Sequence, residues 1–304
     1  MNFDRDDLQK IYSEKILPLQ KKIKREKIIA WIKVLLLILI SILGFIKIID
    51  MTIHYSEKNP LVLLAFVLII IVTRIPVTIY KFNNKIKKII FPKLFKCISE
   101  DIIYNSKLEF PHKEFRDSEL YDVYNCNGNI QDSISTKINN KDIKIFEFLF
   151  DSTSNNIEKT IFWGIFVNTI IDNPIKSDIR ITSNKYKDYG LVKTIFCDAN
   201  KVNLENIDFE KKYDVYCNDQ IYARKLITLG FMEKLLNFTN RINKNIAISF
   251  KNKNIYMSIE GIQLIYDKNI FFKKIDFKMI SNTVENIFEI IEMIKLLDLE
   301  EKIV

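Results

Sequence analysis

Between Asp208 and Thr228 the chain reads DFEKKYDVYCNDQIYARKLIT, its densest gathering of side chains able to do chemistry. Asp208, Glu210, Asp214 and Asp219, with Glu205 just upstream, could hold a cation or share a proton as an acid–base pair. Cys217 could be a nucleophile if a cationic neighbour stabilised its thiolate. The pattern argues against both. The acids lack the alternating oxygen ligands of a calcium loop, and Lys201, Lys211, Lys212 and Arg224 are interleaved with them as on a solvated mixed-charge face. A lone cysteine is more commonly a small buried hydrophobe.

Other catalytic apparatus leaves little trace. The two histidines, His54 and His112, have no sequence support for a zinc site or a Ser-His-Asp triad. Cys97, Cys126, Cys197 and Cys217 are too far apart for a zinc ribbon or redox pair and suit a reducing compartment. The six glycines form no phosphate-cradling loop. No catalytic, cofactor-binding or metal residue is assigned, and the expectation is a protein that is not an enzyme and needs no cofactor.

The elements that must position these residues read as follows. Phe209, Tyr213, Val215 and Cys217 fit one side of a strand, with Lys212, Asp214 and Tyr216 on the other. Asn218 is the expected N-cap of a helix, with Asp219 complementing its N-terminus and Gly230 stopping it. Phe231, Leu235, Phe238 and Ile242 set up the next helix. The stretch is thus a strand-to-helix junction. Asp214, Asp219 and Arg224 stay as candidates for a structural or binding role, because an arginine on an apolar helix needs a partner and either aspartate could supply it.

Upstream, VLLLILISILGFI at 34–46 and LVLLAFVLIIIVT at 61–73 are uncharged runs. With their apolar flanks each approaches the roughly 20 residues that cross a bilayer. Two transmembrane helices are expected, about 28–49 and 60–80, joined by a short outer loop. A cleaved signal peptide fits less well, since 27 residues precede the first expected span, no small-residue cleavage pattern follows it, and a second run comes next. Lys33, Lys47 and Arg74 can snorkel to the headgroups.

Residues 1–27 read as an amphipathic helix capped by Asp4 and interrupted by Pro18. Residues 81–96 form a basic juxtamembrane segment with six lysines and no acid. There Lys81, Lys85 and Lys88 share one helical face suited to anionic lipid headgroups, until Pro92 breaks the pattern. Residues 97–304 hold 28 basic and 31 acidic side chains, so the net charge of +8 belongs to the membrane-flanking segments and nucleic acid is not an expected partner. Basic flanks outside both spans place both termini in the cytoplasm.

The remainder, 97–304, reads as a soluble α+β domain with a largely antiparallel sheet, an inserted helical pair and a C-terminal helix. Strands are expected at NIQDSIST and DIKIFEFLF around a turn at Asn139 to Lys141, and at 159–171, 178–182, 192–197, 245–250, 254–260 and 262–266. Ile280, Val284, Ile287, Ile291, Ile294 and Leu297 mark the buried face of the final helix.

The segments IYSEKILPLQKKI, FWGIFV at 162–167, and above all VNLENIDFEKKYDVYCNDQIYARKLITLGFMEKLLNF at 202–238 carry a resemblance. The chain resembles a bacterial family of two-span membrane proteins known as a domain of unknown function, number three-one-three-seven. The resemblance implies no activity and no site residue.

The expectation is a membrane-anchored cytoplasmic interaction or scaffold module in a bacterial inner membrane, working on an unidentified protein partner or by self-association. The alternatives are a lipid- or small-ligand-binding domain at the membrane surface, with strands resembling a pleckstrin-homology-like barrel, and an enzyme of unrecognised type. Protease added outside intact cells should leave residues 97–304 uncut; their cleavage would overturn this orientation.

Overall fold

The computed structural model describes residues 5–54, 60–106, 111–121, 126–138, 141–154, 157–184, 201–265 and 269–296. The expected cap at Asp4, the turn residues Asn139 and Asn140, the strand at 192–197 and Leu297 lie outside them. The chain forms two compact units: Met1–Cys97 with Asp267–Ser281, and Ile98–Tyr266 with Asn282–Val304.

In the first unit, helix α1 (Arg5–Ile11) passes through a widened turn at Tyr12–Ile16 and a tight turn at Leu17–Leu19 before α2 (Gln20–His54) begins. Pro18 explains the interruption, because it donates no hydrogen bond and crowds the preceding turn. Within Asp6–Asp50 lies the one helix, among the described residues, that is long and apolar enough to cross a membrane, with mean hydropathy 2.7 and only 17% of its apolar window buried. Leu35, Leu36, Leu39, Ile40, Leu43 and Ile46 are all exposed.

Helix α3 (Pro60–Ile98) contains both Pro76 and Pro92. The expected break at Pro92 does not occur. Phe91, Leu94 and Phe95 around it are fully buried, so tertiary packing outweighs the missing hydrogen bond.

The second unit is built on a nine-stranded sheet among the described residues. Its strands are β1 (Ile103–Asn105), β2 (Cys126–Ile138), β3 (Lys141–Ser154), β4 (Ile157–Ile170), β5 (Ile179–Ser183), β6 (Lys201–Val202), β7 (Tyr213–Cys217), β8 (Ile246–Lys251) and β9 (Asn254–Glu260). They run in the order β1-β2-β3-β4-β9-β8-β5-β7-β6, with every described pairing antiparallel. The order is that of an open sheet with β1 and β6 at its ends, not the closed barrel of the lipid-binding analogy.

Alternation sorts the two faces. Val215, Ile181, Ile248, Met257, Val167, Ile145 and Ile134 are successive cross-strand partners, forming one apolar row from β7 to β2. On the other face α4 (His112–Ser118) lays Phe115 into an aromatic cluster, with ring centroids 5.0 Å from Phe148 and 5.3 Å from both Tyr121 and Phe166. The Tyr121 hydroxyl donates to Ser258 at 2.7 Å. Glu119, the left-handed residue that ends α4 (φ 50°), pairs with Arg180 of β5 and with Lys251 of β8 at 2.5 Å. Burial lowers the Arg180 guanidinium to about 10, which leaves it charged at neutral pH.

The second unit departs from expectation at four points. Residues Ile207–Lys212 form helix α5, capped by the Asn206 side chain on Phe209 N, so the strand starts only at Tyr213. Asp219, not Asn218, caps α6 (Gln220–Leu226) by accepting from Tyr222 N at 2.9 Å. Thr228 caps α7 (Leu229–Ile242), which places Gly230 inside its first turn instead of at a helix end. Of the expected strand at 262–266, the described residues 262–265 form none, because side chains satisfy their backbone: Leu264 N donates to Glu147 and Gln263 O accepts from Asn286. The final helix, α8 (Phe277–Leu296), is as expected.

Gly164 pairs with Glu260 across β4 and β9, and a Cβ there would lie 2.1 Å from the Ile259 carbonyl oxygen. Gly230 has open space around its Cβ position. Gly164→Ala should therefore cost about 3 kcal/mol. Gly230→Ala should be neutral or stabilise by up to about 0.5 kcal/mol. Denaturant unfolding of the two variants checks the contrast, and equal midpoints would refute the close-approach argument.

Candidate functional site

The three candidates from the opening stretch do not converge. Asp214 is buried on β7, where Lys201 Nζ of β6 sits 2.6 Å from its carboxylate and the Tyr216 hydroxyl donates at 3.5 Å. Asp219 is spent as the α6 cap. Arg224 is exposed and finds neither aspartate: its Nε donates to Asn203 O at 3.2 Å and its guanidinium to Gln220, one turn away, at 3.3 Å. Cys217 is buried and donates to Asp219 O. On α3, Lys81, Lys85 and Lys88 are all exposed, and Lys85 bonds Glu26 at 2.7 Å. That contact holds the Glu26 carboxyl below its ordinary range.

Two carboxylates meet elsewhere. Asp132 and Glu147 are cross-strand partners on β2 and β3, and both are fully buried. The Tyr104 hydroxyl donates to Asp132 at 2.5 Å, and burial, then the two carboxylates, push that phenol far up. Glu147 holds the 262–265 segment through Leu264 N at 2.9 Å. These groups fasten β1 and a loop to the sheet.

What the structure does assemble is a cleft of about 550 Å³, within the range of small-ligand sites. It is lined by Trp163 from β4, Ser183 and Asn184 at the end of β5, Lys211 and Lys212 at the end of α5, Asn243 to Asn245 between α7 and β8, and Glu260 and Gly261 at the end of β9. Local chemistry builds each wall. Asn243 takes the left-handed conformation that ends α7 (φ 49°). Gly261, also left-handed (φ 70°), donates its N–H to Trp163 O at 2.8 Å, and a Cβ there would crowd Lys244 Nζ.

Asn184 donates to the carbonyls of Glu210 and Lys211 at 3.2 and 3.0 Å, tying β5 to the end of α5. Its Oδ1 is buried and has no hydrogen-bond partner among the described residues. Lys212 reaches Thr239 at 2.8 Å and Asn240 at 3.0 Å. Lys211 pairs with the exposed Asp208 at 3.0 Å. Glu260 accepts from Asn245 at 3.0 Å.

Three lysines against one engaged glutamate make the cleft a basic, hydrogen-bonding one. Of its lining, Lys211 and Lys212 were visible in the sequence, but only as solvated charges. Trp163, Asn184, Lys244 and Gly261 gave no local signal, because strand order and helix ends bring them together. Among the described residues no group of His, Cys, Asp and Glu could hold a metal ion.

Lys201→Met should destabilise the fold by about 1–3 kcal/mol, since it strips a charged partner from a buried carboxylate. Arg224→Ala should cost no more than about 0.5 kcal/mol. Thermal unfolding that reverses this ranking would reinstate Arg224 as the important residue.

No curated protein matches the chain, and no solved structure does. A family model does match, over residues 160–299, and every residue lining the cleft falls inside that span. FWGIFV and the 202–238 block, on which the resemblance rests, also lie there, and Gly164, where β9 leaves no room for a Cβ, is the glycine of FWGIFV. The matched family is described as protein of unknown function (DUF3137).

Proposed function

We propose that this protein is a membrane-anchored module whose sheet domain binds a small anionic ligand at the cytoplasmic face of a bacterial inner membrane. The carrying observation is the cleft: Lys211, Lys212 and Lys244 around a polar pocket with an unmet acceptor at Asn184 Oδ1. Partly enclosed ammonium groups favour phosphate or carboxylate, and the acceptor favours a ligand that also carries a hydroxyl or amine. The anchor is supported by the exposed apolar surface of α2, which water does not solvate well. A second span in α3 completes the hairpin in this reading, with both ends of the chain on the cytoplasmic side. A protein partner is the second reading, favoured by Ile207, Ile221 and Leu229, which stay 71, 70 and 54% exposed on α5, α6 and α7.

The test uses full-length protein in neutral-lipid nanodiscs, with inorganic phosphate, glycerol phosphate and inositol phosphates as probes in thermal unfolding. A probe at a hundred times its Kd should stabilise by about 2.7 kcal/mol. Lys211→Gln combined with Lys244→Gln should weaken that probe about tenfold or more, each lost charge contact being worth on the order of 1 kcal/mol. No stabilisation by any probe, or equal stabilisation of the double variant, would overturn the ligand reading and leave the protein partner.

A further inference from the structure

We propose that residues 269–277, between the sheet and the final helix, form a strap that contacts the membrane: Phe272 enters the headgroup layer of an anionic bilayer, with Lys273 and Lys274 on the lipid phosphates. The proposal rests on the membrane reading above and adds a lipid-contacting element outside the apolar helices and the basic segment at 81–96.

The strap belongs to the same compact unit as α2 and α3, and side chains of that unit hydrogen-bond its backbone. Gln20 and Tyr12 donate to Ile275 O at 3.1 and 3.4 Å. Lys27 Nζ donates to Lys273 O at 3.0 Å. On the other side, Phe271 N donates to Asn83 of α3 at 2.9 Å. Ile270, Phe271 and Ile275 are buried by this docking. Phe271 packs its ring 4.7 Å from Trp31 and 5.5 Å from Phe82.

Phe272 is different. It is 58% exposed, yet its ring lies 6.2 Å from Trp31 and 5.0 Å from Phe271. A strap with every other large apolar side chain docked leaves one phenylalanine in solvent, beside a tryptophan that is itself 38% exposed. The contacts fix its height. Lys27 and Trp31 stand at the start of the first apolar run, and Phe82 and Asn83 just past the end of the second. Both helices are therefore held where each would leave the hydrocarbon. Aromatic rings collect at that level of a bilayer, with the apolar part below and the polar surroundings above.

The charge pattern agrees. Lys273 and Lys274 are exposed next to Phe272, and on α3 Lys81 is exposed next to the docked Phe82 with Lys88 further along the same helix. The Lys27 ammonium is held below the ordinary lysine range, by burial first and by the charge of Lys274 second. So much positive charge beside an exposed aromatic suits an anionic lipid surface, to which each lysine adds about 1 kcal/mol. Asp276 caps α8 through Met279 N at 2.9 Å, so the strap leads directly into the last helix of the sheet domain.

The experiment places a single tryptophan in full-length protein, in nanodiscs whose lipids carry bromine near the headgroup end of the acyl chain. Phe272→Trp is made with Trp31→Phe and Trp163→Phe; a companion carries Leu36→Trp with the same two replacements. The Phe272→Trp protein should be quenched by about twofold or more, with stronger quenching when anionic lipid replaces neutral lipid. Lys273→Gln with Lys274→Gln should abolish that lipid dependence. Quenching of the Leu36→Trp protein but not of the Phe272→Trp protein would overturn the strap while leaving the membrane anchor intact. Quenching of neither would overturn both.

Discussion

The close approach of β4 to β9 holds the sheet domain together as one sheet. The meander β1 to β4 and the set β5 to β9 meet only along this seam in the strand order, and at Gly164 the Ile259 carbonyl occupies the place of a side chain. Without that approach the apolar row running from Val215 to Ile134 would be cut between Met257 and Val167. The cleft depends on the same seam, because Trp163 comes from β4, Glu260 and Gly261 come from β9, and the Gly261 N–H bonds Trp163 O. The feature that unites the core therefore also shapes the site.

Charge is used in two distinct ways. Inside the sheet domain, buried ionisable groups are matched by a charged partner or a hydrogen-bond donor: Asp214 by Lys201, Arg180 by Glu119, Asp132 by Tyr104. Such groups carry a large desolvation cost that only a fixed partner offsets, so they specify register and loop position more than they add stability. In the cleft and along the strap, lysines stay partly hydrated and able to meet an external anion. Which role a charge plays follows from its burial, which the residue type alone does not reveal.

Much of the architecture was legible as pattern. The two apolar runs, the interruption at Pro18, the antiparallel strands and the final helix all follow from local periodicity and backbone chemistry. The misreadings share a cause. KYDVYC continues an apparent alternation back to Phe209, but the Asn206 cap and the fit of Phe209 beside Tyr213, ring centroids 5.1 Å apart, turn 207–212 into a helix. IQLIY has strand composition, yet Glu147 and Asn286 take its hydrogen bonds. Pro92 lies inside a helix because Phe91, Leu94 and Phe95 around it are fully buried. In each case a partner distant in sequence outweighed a local preference.

By itself the sequence determined what each segment could bury: an uncharged run of membrane length, alternating strands, helices with one apolar face, and a net positive charge concentrated at the flanks of the apolar runs. These are properties of neighbours along the chain, where periodicity and hydropathy act. Only the tertiary structure decided which residues share a site. It separated Asp214, Asp219 and Arg224, adjacent in sequence, into a buried ion pair, a helix cap and an exposed side chain. It gathered Trp163, Asn184, Lys212, Lys244 and Gly261 from five elements into one cleft. The physical reason is that strand order and helix ends are set by long-range burial and hydrogen bonding, which bring together groups far apart in the sequence.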